Sequence, residues 1–154
     1  MSSEMFNMDQ VKDMLLKHEG LRLYPYHCSE NRLTIGIGRN IDDKGITEDE
    51  AKYLLANDIN EVTEQLDKVW AVWRTFPVKA QYLCIDMAFQ LGVEGFMKFR
   101  QSRQLMEEGM WTESSEEILR SKWARQTPNR ANYNSRQLYL CQNKAETNKT
   151  THTK

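Results

Sequence analysis

The sequence predicts an α+β fold: a small N-terminal lobe with a short antiparallel sheet, a long connecting helix and a C-terminal helical bundle. Three observations predict it. A stretch of apolar and β-branched residues broken by glycines and turn formers is confined to residues 21–41. Apolar residues then recur at helical spacing from Leu55 to Val69, and beyond Pro77 nearly every segment reads as helix. A chain of 154 residues suits one compact domain or two small lobes. Its 40% hydrophobic and 28% charged residues are the balance of an ordinary globule.

Asn7 is placed to cap a first helix whose residues Val11, Met14, Leu15 and His18 fall at i, i+3, i+4 and i+7. Gly20 sits where a left-handed residue would stop it, which makes Glu19 its last side chain. From Leu21 to Ile41 the turn-prone Ser29-Glu30-Asn31 and the glycines of Thr34-Ile35-Gly36-Ile37-Gly38 divide a small antiparallel sheet. Asp42-Asp43-Lys44-Gly45 reads as a turn, and Thr47 with Glu50 forms a capping box opening a helix to about Trp70, roughly 35 Å long. Along it Leu55, Ile59, Val62, Leu66 and Val69 form a narrow apolar stripe.

After Phe76-Pro77, the segment Val78 to Leu91 is apolar on nearly every side, so it is expected to be buried, with Asp86 and Gln90 sharing a face that can look into a cleft. Helical stretches follow at Glu94 to Met110, at Thr112 to Arg125, and after Pro128, which suits a first helical turn. Residues 1–142 are read as a single domain, with an N-terminal lobe over about 7–60 and a C-terminal helical lobe over about 61–142 plus helix 1. Residues 143–154 are expected to form a disordered tail, because they hold no apolar anchor.

Composition narrows function. No apolar run approaches the ~20 residues of a membrane span, so no integral membrane association is expected. Met1 to Gly20 carry Glu4, Asp9, Lys12, Asp13 and Lys17 within their apolar stretch, unlike a secretion signal, and the expectation is a protein that stays in the cytosol where it is made. Cys28, Cys84 and Cys141 are widely spaced with no CxxC pair, which points to reduced thiols rather than disulfides or zinc. Residues 1–75 hold 9 basic and 14 acidic side chains, net −5, and residues 76–154 hold 12 and 8, net +4. From Arg120 onward eight Lys or Arg face the single acid Glu146, a patch suited to a polyanion, or simply a solvated helix face and polar tail.

Common chemistries fail on their spacing. His18-Glu19-Gly20-Leu21-Arg22 has Arg22 where the HExxH zinc motif needs its second histidine. Gly36-Ile37-Gly38 lacks the third glycine and following helix of a dinucleotide loop, and no GxxxxGK is present. No metal and no cofactor are expected. The basic C-terminal region shows no signature of a nucleic-acid reader, and no nucleic-acid partner is expected.

What remains is Glu19, Cys28 and Thr34. Glu19 ends a helix, where the macrodipole's negative end and the adjoining apolar stripe disfavour ionisation, the condition a general acid requires. Taken singly, each residue has a plainer reading: a solvated carboxylate, a small core thiol, an ordinary strand threonine.

The run His18-Glu19-Gly20-Leu21-Arg22-Leu23-Tyr24-Pro25-Tyr26-His27-Cys28, with Leu33-Thr34-Ile35-Gly36-Ile37-Gly38-Arg39-Asn40, resembles the N-terminal signature of phage lysozymes, the endolysins of the T-even type. Met87-Ala88-Phe89-Gln90-Leu91-Gly92 and Ser121-Lys122-Trp123-Ala124-Arg125-Gln126-Thr127-Pro128-Asn129-Arg130 resemble the same family in the same order, so the likeness spans roughly residues 10 to 140. The resemblance implies a lysozyme-like fold and cleavage of the β-1,4 bond between N-acetylmuramic acid and N-acetylglucosamine in bacterial peptidoglycan. It implies Glu19 as proton donor and Thr34 as the residue that holds the attacking water. Cys28 falls where many members have aspartate and some have cysteine. Arg130 falls on an arginine that neighbours the acid, and Phe89, Gln90 and Ser102 on the cleft wall. Arg39 replaces a histidine common in relatives, so an ion pair built on that histidine does not carry over.

Two mechanisms stay open at position 28. Either a water held by Thr34 attacks while Glu19 protonates the leaving oxygen and Cys28 supplies polarity, or thiolate Cys28 forms a thioglycosyl intermediate with retention. The first is favoured: an ordinary thiol is only a few percent ionised at neutral pH, Glu30 is near and no lysine lies in the hairpin. Alternatives of other classes are a non-catalytic peptidoglycan-binding protein of the same fold, or a thiol-dependent wall amidase or peptidase using Cys28. By the family's role in host lysis the expected enzyme is a bacteriolytic monomer, made in the host cytoplasm and reaching the wall once the inner membrane is permeabilised.

Overall fold

The computed structural model describes residues 5–152, with side chains described through Cys141. The chain forms two compact units, Met1–Tyr53 and Leu54–Lys154. The expected tail over 143–154 falls on residues whose side chains lie outside the described set.

In the first unit, helix α1 (Met8–Glu19) begins where Asn7 accepts a hydrogen bond from the Gln10 N–H at 3.1 Å and ends at Gly20, whose φ of 75° suits glycine. Strands β1 (Arg22–His27), β2 (Leu33–Gly36) and β3 (Arg39–Asn40) form an antiparallel sheet in the order β1-β2-β3, with Thr34 opposite both Tyr26 and Asn40. The expected turn at 42–45 is instead a single helical turn, α2 (Ile41–Lys44). Asn40 accepts from the Asp43 N–H there at 3.1 Å, a cap that supports one turn of helix before Gly45 ends it.

Helix α3 (Glu48–Trp70) opens on the expected capping box: the Thr47 N–H donates to Glu50 Oε1 at 2.9 Å and the Glu50 N–H to Thr47 Oγ1 at 3.1 Å. It begins in the first unit and ends in the second. The apolar stripe is realised only in part. Leu66 is fully buried and Val62 packs on the core, whereas Leu55 and Val69 are about half exposed. Only the last turns of α3 meet core side chains, so periodicity overstates the buried length.

In the second unit a 3-10 turn, Ala71–Thr75, leads to α4 (Val78–Met97), which bends at Gly92 (φ 77°, ψ 154°). Burial of α4 is one-sided, contrary to expectation. Ala80, Leu83, Cys84, Met87 and Ala88 are in the core, but Tyr82 and Phe89 are exposed. Helix α5 (Arg100–Glu107) follows, and the stretch read as one helix over 112–125 is two, α6 (Trp111–Leu119) and α7 (Lys122–Gln126). Ser121 separates them, its hydroxyl oxygen accepting from the Ala124 N–H at 3.1 Å. Helix α8 (Pro128–His152) starts on proline, which has no N–H to lose at that position. Edge-to-face contacts among Trp70, Phe76, Phe96 and Trp111 and between Phe99 and Trp123, connected by a tilted Phe96–Phe99 contact, join these helices into one aromatic core. Among the described residues, no helix is long and apolar enough to cross a membrane.

Candidate active site

The sequence-predicted residues fall into two groups, one in each unit. Glu19, Cys28 and Thr34 belong to the first; Phe89, Gln90, Ser102 and Arg130 belong to the second.

Glu19 is carried at the last position of α1, and its carboxylate lies over Gly38. A Cβ built on Gly38 would stand 2.8 Å from Glu19 Oε2 and 2.9 Å from its Cδ. The β2–β3 connection can approach the carboxylate this closely only because position 38 has no side chain, and its φ of 70° also favours glycine. Glu19 lines an open hollow of about 330 Å³ with Lys12, Leu15, Ile37 and Gly38. Among the described residues no hydrogen-bond or ion-pair partner engages its carboxylate.

Thr34 is on the central strand, flanked on both sides, and is 4% exposed. Its hydroxyl donates to the Arg32 carbonyl at 2.9 Å, which leaves the oxygen's lone pairs to accept from a water. Cys28 is partly exposed at the end of the β1–β2 turn: its N–H donates to the Arg32 carbonyl at 3.0 Å and its carbonyl accepts from the Asn31 N–H at 2.8 Å. Asn31 takes a left-handed φ of 59° in that turn. The thiol is held below its ordinary value by the backbone N–H groups of Arg32 and Glu30, with a smaller contribution from the Thr34 side chain, while burial and the Glu30 charge oppose them. The hairpin holds no lysine to depress this thiol; the turn's own amides do so instead.

Cys28 and Thr34 are thus brought together, with Glu19 over the next connection of the same unit. The hairpin is braced from outside: the Leu33 N–H donates to Asp42 Oδ2 at 2.6 Å. Arg39 makes a two-point ion pair with Glu50 at 2.7 and 2.8 Å and donates to the Gly45 carbonyl at 3.2 Å. Glu50 therefore both caps α3 and anchors the end of the sheet, and the Arg39 guanidinium, with the Thr47 N–H, lowers its carboxyl to about 2.

In the second unit, Gln90 Oε1 accepts from Trp123 Nε1 at 2.8 Å, tying α4 to α7, and the neighbouring Phe89 ring is partly exposed. Ser102 is buried, its carbonyl accepting from Ser114 Oγ at 3.0 Å, and it borders a hollow of about 460 Å³. Arg130 is gripped by Asp86 through contacts of 2.6 and 2.9 Å to the carboxylate and 3.2 Å to its carbonyl. Buried Asn134 adds a fourth hydrogen bond to Asp86, to its carboxylate at 2.9 Å. Desolvation works to raise the Asp86 carboxyl, but Arg130 and Asn134 together hold it below the ordinary carboxylate range. Sequence reasoning noticed Asp86 on a face of α4 but missed its partner, 44 positions away. Gly38 was missed as a site residue although the Gly-Ile-Gly pattern marked a close backbone approach.

This fold, a small three-stranded antiparallel sheet among helices, is lysozyme-like, and the phage lysozyme family matches the chain over residues 16–137. The chain belongs to that family. It is 29% identical over 154 residues to probable T4-type lysozyme 1 of Dictyostelium discoideum, covering 81% of this chain and 91% of that protein. Probable T4-type lysozyme 2 of the same organism is 28% identical with the same coverage. The pre-baseplate central spike protein Gp5 of Enterobacteria phage T4 is 30% identical over 149 residues, 79% of this chain and 26% of Gp5.

Proposed function

We propose that this chain is a muramidase that hydrolyses the β-1,4 bond between N-acetylmuramic acid and N-acetylglucosamine in bacterial peptidoglycan. The observation that carries the reading is a carboxyl group at the end of α1, without a charged partner among the described residues, lining an open hollow beside a glycine. Glu19 donates its proton to the glycosidic oxygen as the bond to the anomeric carbon breaks. A water that donates a hydrogen bond to Thr34 Oγ1 directs its lone pair at the same carbon, because the hydroxyl's own proton is committed to Arg32; the proton this water sheds on addition passes to solvent, from which the Glu19 carboxylate is reprotonated. Cys28 shapes the polarity next to that water. In the second unit Phe89, Gln90, Ser102 and Arg130 contribute to substrate binding. Acting as a monomer, the enzyme meets the wall after the inner membrane is breached.

Glu19→Gln, which keeps shape and removes the acid, is expected to lower reducing-end release from purified walls about a thousandfold with the fold intact. Full activity in that variant overturns the assignment. The lowered Cys28 thiol supports a second reading, in which the thiolate attacks the anomeric carbon and water later displaces it. Anomeric analysis of the first product separates the two: retention with an inactive but folded Cys28→Asp variant selects thiolate attack. Since Cys84 and Cys141 are buried, loss of activity on mild alkylation reports on Cys28. Wall binding without new reducing ends identifies a non-catalytic binder, and release of amino groups identifies an amidase or peptidase.

A further inference from the structure

Leu33, the first residue of β2, pairs with His27 of β1 on one side, while on the other side β3 ends at Asn40, opposite Thr34. The Leu33 N–H therefore stands one step past the β2–β3 ladder, with no strand to receive it. Asp42 of α2, nine positions on, takes the place of that strand: its Oδ2 accepts from the Leu33 N–H at 2.6 Å. The Asn40 cap, which starts α2 directly after β3, sets the acid there. An N–H donated to a carboxylate makes a shorter and stronger bond than one donated to a carbonyl.

This bond fixes a single peptide plane. The Leu33 N–H and the Arg32 carbonyl are the two ends of one rigid peptide group. That carbonyl accepts from the Cys28 N–H at 3.0 Å and from the Thr34 hydroxyl at 2.9 Å. The Thr34 hydroxyl is thus aimed by a carbonyl whose orientation is set from the far end of the same plane. A negative charge at the N–H end also polarises the group and makes its oxygen a better acceptor. Asp43, the next residue, meets the Arg32 guanidinium at 3.6 Å with both side chains about half exposed, so solvent screens that pair and it adds little. All of these contacts lie within the first unit.

Resting on the muramidase reading, we infer that Asp42 is a positioning residue for the hydrolytic water. Through the peptide between Arg32 and Leu33 it keeps the Thr34 hydroxyl proton on Arg32, so that the lone pairs of Oγ1 stay turned to the water. An effect on the aim of the nucleophile falls on the chemical step, and so on kcat rather than KM.

The test is a mutant cycle on purified walls that combines D42A and D42N with T34V, which keeps the shape of the Thr34 side chain and removes its hydroxyl. D42A is expected to lower kcat about tenfold at unchanged KM, and D42N, which retains a neutral acceptor, about threefold. On the T34V background neither substitution is expected to lower the residual rate further. Should D42A not fold, D42N carries the cycle. Wild-type kcat in both variants overturns the inference, as does a loss confined to KM or a loss of the same size with and without the Thr34 hydroxyl. Amide NMR of the wild type and D42N decides without turnover. The Leu33 and Cys28 amide protons are expected to move upfield together. The Asn31 amide, which donates to the Cys28 carbonyl at 2.8 Å and bypasses that peptide, is expected to stay in place. A Cys28 amide that does not move overturns the inference, as does an Asn31 amide that moves with it, the mark of a hairpin merely loosened. If the wild-type enzyme cleaves no wall, the muramidase reading fails separately, and the amide shifts then decide whether Asp42 orients the peptide that holds Thr34.

Discussion

The two units are held together by different means. In the first, among the described residues, Thr34 alone is buried; Leu15 and Leu16 of α1, Leu21 after it and Leu23 of β1 all keep a large fraction of their surface exposed. Its order comes from hydrogen bonds at defined points: the Asn7 and Asn40 caps, Asp42 on the Leu33 amide, and Glu50 serving Thr47 and Arg39 together. The second unit buries an aromatic and aliphatic core from Leu66 to Cys141. The difference teaches where robustness and chemistry are placed. Glu19, Cys28 and Thr34 stand on a unit whose geometry is set by individual polar contacts, so single substitutions there should disturb the site more than the stability. In the second unit the reverse should hold.

The largest effect expected is on stability in the second unit. Phe96 is fully buried and contacts both Trp70 and Phe99, so Phe96→Ala should cost about 3 to 5 kcal/mol in denaturant unfolding. Leu23→Ala, at a side chain 75% exposed in β1, should stay within about 0.5 kcal/mol. Comparable losses from the two variants would remove the distinction between the units.

The next effect is its mirror image. Gly38→Val places a Cβ 2.8 Å from Glu19 Oε2 in a left-handed backbone position. The carboxylate is the free end of a flexible side chain and can move aside, so the stability cost is mainly backbone strain of about 1 to 2 kcal/mol. Moving the acid, however, should lower wall hydrolysis about a hundredfold. A folded Gly38→Val protein with wild-type turnover would show that Glu19 needs no fixed position. Smaller again is Asp86→Asn, which removes the charge from the Arg130 grip while leaving an amide of the same size. With both side chains more than a third exposed, solvent screening limits the stability loss to about 1 kcal/mol, readable as a shift in the urea midpoint.

Legibility in the sequence followed the range of the interaction. Asn7 with Gly20, and Thr47 with Glu50, mark helix ends through contacts a few residues apart, and both α1 and α3 begin where those patterns place them. Glu19 is therefore identifiable from local sequence alone as the terminal side chain of α1. Contacts between distant segments carried no comparable signal. Nothing near Arg39 announces Glu50, 11 positions on, and nothing near Asp86 announces Arg130 and Asn134. The stripe on α3 misled for a related reason: periodicity reports which face is apolar, not whether a neighbour covers it. The bend at Gly92 falls in the gap between the stretches read as ending at Leu91 and starting at Glu94, whereas the break at Ser121 was hidden because the flanking residues remain helix formers on both sides.

The smallest effect tests whether the polar contacts of the first unit do hold it. Glu50 has its carboxyl lowered from 4.5 to about 2, by the Arg39 guanidinium first and the Thr47 N–H next. A depressed carboxyl contributes stability that is fully present above its unfolded value and is lost as pH falls through the folded one. The contribution of Glu50 should accordingly be constant from neutrality to about pH 5, decline between about pH 4.5 and 2, and be absent below that. Glu50→Gln, which retains one acceptor for Thr47 but no charge for Arg39, should melt at a lower temperature than wild type at pH 7, with the gap closing on acidification through that window. Added salt should narrow the gap at pH 7 as well, since Arg39 and Glu50 are both partly exposed. A gap unchanged between pH 7 and pH 2 would mean that Glu50 acts only through its uncharged cap. The sheet that carries Thr34 would then owe its order to the backbone ladder and Asp42, and the Arg39 guanidinium would be dispensable to it.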